Sequence, residues 1–487
     1  MTDLTKLVKS IQNIMRGDAG VNGDAQRIEQ TGWLLFLKVY DSCEETWELN
    51  EDNYTSIIPE KLRWRNWAHD NQDGKSLTGD ELLEFVNNEL FPGLRNIEIT
   101  SETPIKKSIV RDVFQDNNQY MKNGVLLRQL INEIDSIKLD NSEQKHALGD
   151  IYETFLQDLQ SAGNAGEFYT PRPVTDFIVK MTAPKLGEKI ADFAAGTCGF
   201  LVSALKSFMP LKTVRERELY GRSVYGIEKK GLPYLLGITN LLLHEVDEPK
   251  LFHTNSLERN VENFTESEKF DVILMNPPYG SKELDNIKAN FPADMQSSET
   301  ADLFCALASY RLRHNGRAAI ILPDGFLFGT DNTKQAIKKR LLEKFNLHTI
   351  IRLPAGTFSP YTSITTNIIF FENSGSTQNI WFYRVPSLPD NRAYSKTKPF
   401  NAECFNECLD WWNDRHEIFD DEGQPVSVMK SAKDIQDANY NLDWCGYSAK
   451  GDYIPEPYEA FRELEESFNA MQDNMKKLKF LLENNNA

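Results

Sequence analysis

The sequence predicts an α/β protein: an N-terminal α-helical domain, then a doubly wound parallel sheet, then a C-terminal helix. Three observations predict it. Apolar residues recur at helical intervals over residues 1–150, short apolar runs alternate with helical stretches from Gly163 onward, and a heptad seam runs through the last residues. At 487 residues the chain is too long for one core, so two or three domains are expected.

The helical domain is set at residues 1–150. Its segment QRIEQTGWLLFLKVYDSCEETW puts Trp33, Leu34, Phe36, Leu37 and Tyr40 on one broad apolar face, and GVLLRQLINEIDSI repeats the pattern. The domain ends near HALGDIYETFLQDL.

The core is set at residues 151–400. Strand-like EKIADF, SVYGIE, LFHTNSL, FDVILM, RAAIILP and HTIIRLP are interleaved with helical FLVSALKSF, LLGITNLLLHEV, LFCALASYRL and KQAIKKRLLEKF, which is the pattern of βαβ units. TNIIFFE and NIWFYRV follow with no helix between them, so an antiparallel closing hairpin is expected. Residues 401–454, rich in Trp, Asp and Asn, are expected to be irregular. Over 455–487, Phe461, Leu464, Phe468, Met471, Met475, Leu478 and Leu482 alternate by three and four, so this helix either folds back on its own chain or docks on another subunit.

Composition narrows the function. With 40% hydrophobic and 26% charged residues the chain resembles an ordinary soluble protein. It has no apolar stretch of the roughly 18 residues a membrane span needs, and its opening MTDLTKLVKSIQNIMR has no signal-peptide core, so a cytoplasmic location is expected. The six cysteines form no CxxC pair and lie near no histidine cluster; they read as reduced thiols, with no metal site. The formal net charge of −18 repels phosphate backbones, so action on nucleic acid requires a local basic face or a partner subunit. KKR (338–340) and RLR (311–313) either face a duplex or are solvated helix surface.

Two βα turns carry the chemistry. In KIADFAAGTCGFL a strand ends at Asp192, and Ala194, Ala195, Gly196, Thr197 and Gly199 let backbone approach a ligand at the head of a helix, or satisfy a tight turn and nothing more. The full GxGxxG and a P-loop lysine are both missing, which argues against NAD and ATP. SVYGIE ends in Glu228, either the acceptor for the two hydroxyls of an adenosine ribose or a surface glutamate; its separation from Asp192 exceeds the roughly 20 residues of the usual fingerprint. Asn255, in the third strand LFHTNSL, is placed to meet an adenine amino group or has no such role.

The second turn is FDVILMNPPYG. Two prolines stop a buried strand, leaving Asn276 and Tyr279 in a stiff loop at its carboxyl end. The Asn276 side-chain carbonyl and the Pro277 backbone carbonyl offer two acceptors to one exocyclic NH₂ group. Accepting both hydrogens frees the nitrogen lone pair and makes it a nucleophile. Tyr279 is then a platform for stacking an extruded base. With a sulfonium as donor no base is needed before attack, so the gain comes from positioning and electrostatics. The bland alternative is that Asn-Pro-Pro is only a turn.

GEFYTPRPV (166–174), DFAAGTCGF (192–200) and NPPYG (276–280), in that order, resemble motifs X, I and IV of the γ-class DNA adenine-N6 methyltransferases. The resemblance is strongest to the modification (M) subunit of type I restriction-modification systems; QTGWLLFLK and LPAGTFSPYTSITTNIIFF (353–371) extend it over most of the chain. It implies a Rossmann-like, S-adenosylmethionine-dependent methyltransferase core that methylates a flipped adenine in double-stranded DNA. It implies that Glu167, Phe168, Tyr169, Thr170, Pro171 and Arg172 hold the methionine end of S-adenosyl-L-methionine and that Asp192 to Gly199 surround it. Glu228 takes the ribose, Asn255 the adenine, and Asn276, Pro277, Pro278 and Tyr279 the target amine. Cys198 stands where the family usually has glycine or alanine. The same resemblance implies a separate specificity (S) subunit that reads the sequence, two M subunits per S subunit, and a restriction (R) subunit. An acidic chain without a second long recognition domain fits that division, with the heptad helix as the docking element.

The nearest alternative is a self-sufficient DNA adenine methyltransferase, which would bind its site tightly without a partner. Glutamine and RNA amino-methyltransferases share Asn-Pro-Pro-Tyr but need neither GEFYTPRPV nor a heptad tail. A non-catalytic scaffold would have no use for Asn276, Pro277 and Tyr279 together with Asp192 and Glu228.

Overall fold

In the computed structural model the described residues are 2–69, 76–139, 144–145, 148–149, 152–153, 156, 169–388, 393–395, 398–447, 468, 471, 472 and 475. The segment that opens with Asp24 forms one helix to Asn50. It is more than amphipathic. Trp33, Leu34, Leu35, Phe36 and Leu37 are all buried, so neighbours cover this stretch on every side. Trp33 meets Phe91 edge-on at 5.1 Å, and Phe91 meets Phe114 at the same spacing, which ties helix Ile105–Asp116 to it. Helix Gly124–Asp135 begins where Asn123 accepts the amides of Val125 and Leu126, an N-cap of the favoured kind.

The sheet has ten strands: β1 (Ile190–Asp192), β2 (Val224–Glu228), β3 (Lys250–His253), β4 (Phe270–Met275), β5 (Leu312–Pro323), β6 (Asn346–Arg352), β7 (Thr366–Glu372), β8 (Asn379–Arg384), β9 (Ile418–Phe419) and β10 (Pro425–Ser431). Their order is β3-β2-β1-β4-β5-β7-β6-β8-β10-β9. β3, β2, β1, β4 and β5 pair in parallel, and the order reverses between β1 and β4. That reversal is the topological switch point where doubly wound sheets bind ligands.

The expected closing hairpin does not form. β7 runs antiparallel between β5 and β6, and β8 pairs in parallel with the far side of β6, so TNIIFFE and NIWFYRV are separated by a strand. The cause is burial: six of the seven β7 residues are buried, and a strand apolar on both faces belongs in the interior of a sheet. The 401–454 segment is likewise not irregular over its described part. Helix Asn406–Asn413 lies there, and β10 pairs antiparallel with β8, extending the same sheet.

The helical N-terminal part is joined to the core through helix Gly231–Leu243, which follows β2 and is buried from Pro233 to Leu243. Gly32 lies against Leu235 and Leu236, and Trp47 donates through its indole nitrogen to Asp247 at 3.1 Å. The chain divides into one compact unit over residues 1–446 and a second over 447–487. Of the heptad seam, Phe468, Met471 and Met475 are described as helical and exposed; Phe461, Leu464, Leu478 and Leu482 lie outside the described residues. Among the described residues no helix is long and apolar enough to cross a membrane.

Candidate active site

The carboxyl ends of β1, β2 and β4 open on a cavity of about 440 Å³. Its wall contains Thr170, Asp192, Ala194, Ala195, Gly196, Thr197, Gly199, Glu228, Asn255, Asn276 and Pro278, eleven of the residues singled out from sequence. The turn after β1 is held from several sides. The Asp192 carboxylate accepts the Ala194 amide at 3.0 Å, the Ala195 amide donates to the Ile227 carbonyl at 3.0 Å, and Gly196 adopts φ 51°.

Glu228 completes the turn. One carboxylate oxygen accepts the Gly196 amide at 2.9 Å and the other the Lys230 amide at 2.8 Å, so the side chain is fixed before any ligand arrives. It is not the surface glutamate of the bland alternative, being 8% exposed. Burial raises its pKa against those two amides. Burial also pushes Asp192 up to about 8; its bond from Ala194 opposes this, and the Glu228 charge adds to it. The pinned Glu228 carboxylate beside an Asp192 that keeps its proton below about pH 8 suits a ligand with hydroxyls, and the volume lies within the range of small-molecule sites.

Cys198 is buried in the left-handed region, at φ 64°. Its side chain fits because Gly237 of helix Gly231–Leu243 leaves room: a Cβ there would come within 2.8 Å of the Cys198 sulfur and 2.9 Å of the Gly196 carbonyl. Asn240, one helical turn on, donates to the Thr197 carbonyl at 2.9 Å. Neither residue was singled out from sequence, although a glycine inside the apolar run LLGITNLLL is the kind of breaker that signals close approach. Ser256, which donates to the Phe193 carbonyl, was also missed and carried no signal.

The segment before the first core helix splits in two. Glu167 and Phe168 lie outside the described residues. Tyr169 and Arg172 do not line the cavity. Both bind the Glu153 carboxylate, at 2.8 and 2.6 Å, and the guanidinium stacks over the Tyr169 ring 5.1 Å from its centroid. Pro171 caps helix Arg172–Thr182 and is likewise not on the cavity wall. Gly199 gives this bracket its space, since a Cβ there would stand 2.0 Å from an Arg172 terminal nitrogen.

Asn276 ends β4 as read, half-buried on the cavity wall. Its amide nitrogen donates to the Thr170 hydroxyl oxygen at 3.1 Å, and its side-chain oxygen accepts the Tyr279 hydroxyl. Pro277 is buried, and Tyr279 is half-buried against the apolar clusters on both faces of the sheet; neither is on the cavity wall.

The two basic patches do not form a face. Lys338 is fully buried and donates to the carbonyls of Leu327 and Gly329, Arg340 stacks on Tyr310, Arg311 is buried over Phe264, and Arg313 pairs with Asp271. These four cations serve loop closure and ring packing, while Lys339 between two of them is exposed beside Glu343.

The family model described as N-6 DNA Methylase matches residues 143–453, and the HsdM N-terminal domain model matches residues 4–134. The type I restriction enzyme EcoEI methylase subunit of Escherichia coli is 47% identical over 444 residues, 90% of this chain and 89% of that one. The crystal structure of a modification subunit of a putative type I restriction enzyme from Vibrio vulnificus YJ016 superimposes with a TM-score of 0.76 at 39% identity, covering 91% and 96% of the two chains. A chain solved for complex assembly and conformational transition of the type I R-M system gives a TM-score of 0.81 at 34% identity, covering 99% and 98%.

Proposed function

The chain belongs to the N-6 DNA methylase family, as a methylase subunit of the type I restriction enzymes, and from that premise we propose how its residues divide the work. The observation that carries the reading is that Asn276, Glu228 and the Asp192–Gly199 turn share one cavity wall.

S-adenosyl-L-methionine is the cofactor that suits the cavity, and when bound it supplies a methyl carbon already activated as a sulfonium. Glu228, pinned by two amides, accepts the ribose hydroxyls; Asn255 faces the adenine; Asp192 to Gly199 surround the middle of the molecule. The 167–172 segment closes its methionine end through backbone, with Tyr169, Pro171 and Arg172 as the frame behind the wall and the Thr170 hydroxyl turned to Asn276.

The target adenine leaves its duplex, and its amine presents two hydrogens to the Asn276 side-chain carbonyl and the Pro277 backbone carbonyl. Tyr279 stacks on the base. Its hydroxyl now occupies the Asn276 oxygen, so entry of the amine exchanges one donor for the other. The proton displaced from nitrogen passes to solvent after attack. Fixed oxygens do the catalytic work, by orientation and by charge already in place.

Sequence reading falls to a separate specificity subunit, joined by the C-terminal helix that bears Phe468, Met471 and Met475; two methylase subunits flank each specificity subunit, and a restriction subunit joins them. Residues 1–150 form the helical domain, the catalytic core set at 151–400 extends through β9 and β10 to residue 431, and the place of action is the cytoplasm. The net charge of −18 makes the chain alone a weak DNA binder.

The test is tritium transfer from labelled S-adenosylmethionine by the subunit with its specificity partner, offered duplex DNA and protein in parallel. Label in N6-methyladenine is expected. Label in protein glutamine, or tight site-specific DNA binding by the single chain, would overturn it.

A further inference from the structure

Thr170 lies 106 residues before Asn276, yet its hydroxyl oxygen accepts the Asn276 amide nitrogen at 3.1 Å on the cavity wall. An asparagine amide has a donor end and an acceptor end of nearly the same shape. Only the acceptor end is useful toward an amine, since NH₂ against NH₂ sets donor against donor. Asn276 is gripped at both ends, by Thr170 at nitrogen and by Tyr279 at oxygen.

The two grips differ in what substrate does to them. The amine replaces Tyr279 at the oxygen; nothing in that exchange removes the need of the nitrogen for an acceptor. Once two amine hydrogens point at this site, the one arrangement without facing donors has the Asn276 nitrogen toward Thr170. The threonine is held to that task from both sides. Tyr169 is anchored on Glu153, and Pro171, with φ fixed by its ring, starts helix Arg172–Thr182.

We propose that Thr170 is a positioning residue for methyl transfer: its hydroxyl oxygen holds the Asn276 amide with the carbonyl toward the substrate amine. The inference rests on the role given to Asn276 above, and it assigns the Thr170 hydroxyl to the catalytic amide, where the sequence resemblance gave it to the cofactor.

Thr170→Val removes the hydroxyl at nearly constant shape, and Thr170→Ser keeps it. Both are assayed in the complex with the specificity subunit for kcat, and S-adenosylmethionine affinity is measured by calorimetry, which also reports folding. An unsatisfied donor in a dry site predicts a kcat about 10- to 100-fold lower for Thr170→Val, cofactor Kd within about threefold of wild type, and recovery of most of the rate in Thr170→Ser. Wild-type kcat in Thr170→Val, or a rate loss matched by an equal loss of cofactor affinity, would overturn the proposal. A wild-type complex that labels no adenine would overturn the reading beneath it instead.

Discussion

The Tyr279 hydroxyl is hydrogen-bonded to the side-chain oxygen of Asn276, so the ring expected to carry a base and the oxygen expected to hold its amine are joined to each other. The two prolines between them make this contact short-range and stiff.

Substitutions at Tyr279 separate the ring from the hydroxyl. Tyr279→Phe keeps the stacking surface and uncaps Asn276, whereas Tyr279→Ala removes both. Base stacking on an aromatic ring contributes about 1–3 kcal/mol, so kcat/KM for duplex DNA is expected to be roughly 5- to 150-fold lower in Tyr279→Ala than in Tyr279→Phe. Steady-state methylation kinetics decide; equal losses would assign the effect to the hydroxyl.

Glu228 is tested by its isostere. In Glu228→Gln one end becomes an NH₂ that must face the amide of Gly196 or Lys230, where both oxygens now accept. A buried donor facing a donor costs about 1–3 kcal/mol, which turns the side chain away from the geometry that receives the ribose, so cofactor Kd is expected to rise by about tenfold in calorimetry. Unchanged affinity would remove Glu228 from the binding set.

Asp192 gives the fold a pH dependence with a definite sign. Burial first, then the Glu228 charge, lifts it from an ordinary 3.8 to about 8, so between those values the native state holds a proton that the unfolded chain has lost. Stability from this group is present at acid pH and is lost as pH rises toward 8. Asp192→Asn cannot ionise, so its melting temperature relative to wild type is expected to climb from pH 5 to pH 8 on the order expected for one titrating group. A constant offset across that range would contradict the burial of an ionisable Asp192.

How much of this was legible in the sequence follows from the range of the forces involved. Strands β1, β2 and β4 and the turns after them were readable because apolar runs, a terminal carboxylate and the Asn-Pro-Pro stop are local features. β7 was misassigned a partner because pairing depends on which strand edges remain open, and its two-sided apolar pattern suits a central position better than a hairpin. Strand β10 was missed because PVSVMKS shows only half-burial, drawn from contact with β8. Gly237 and Asn240 hold the turn after β1 across 39 to 43 residues of sequence, as with the Asn240 to Thr197 bond, and no local pattern tells which distant segment they meet.

Two glycine positions give opposite expectations. Gly199→Ala would drive a methyl into Arg172, whose ion pair with Glu153 leaves it little freedom, so a loss of about 1–3 kcal/mol and weaker cofactor binding are expected. Gly221 sits in helix Val214–Arg222 with open space at its Cβ position, so Gly221→Ala is expected to gain about 0.4–1 kcal/mol. Denaturant unfolding of both variants distinguishes packing at the turn from a general intolerance of added methyl groups.

The most direct measurement is on Asn276→Ala in the complex with the specificity subunit, with product DNA read by mass spectrometry for N6-methyladenine and cofactor binding read by calorimetry. Paired oxygens that make an extruded amine nucleophilic predict no detectable methylation with S-adenosylmethionine affinity within about threefold of wild type, since the energy of a bond to substrate is lost while Glu228, Asn255 and the Asp192–Gly199 turn keep their places on the wall. Methylation near the wild-type rate would contradict the role of Asn276 outright.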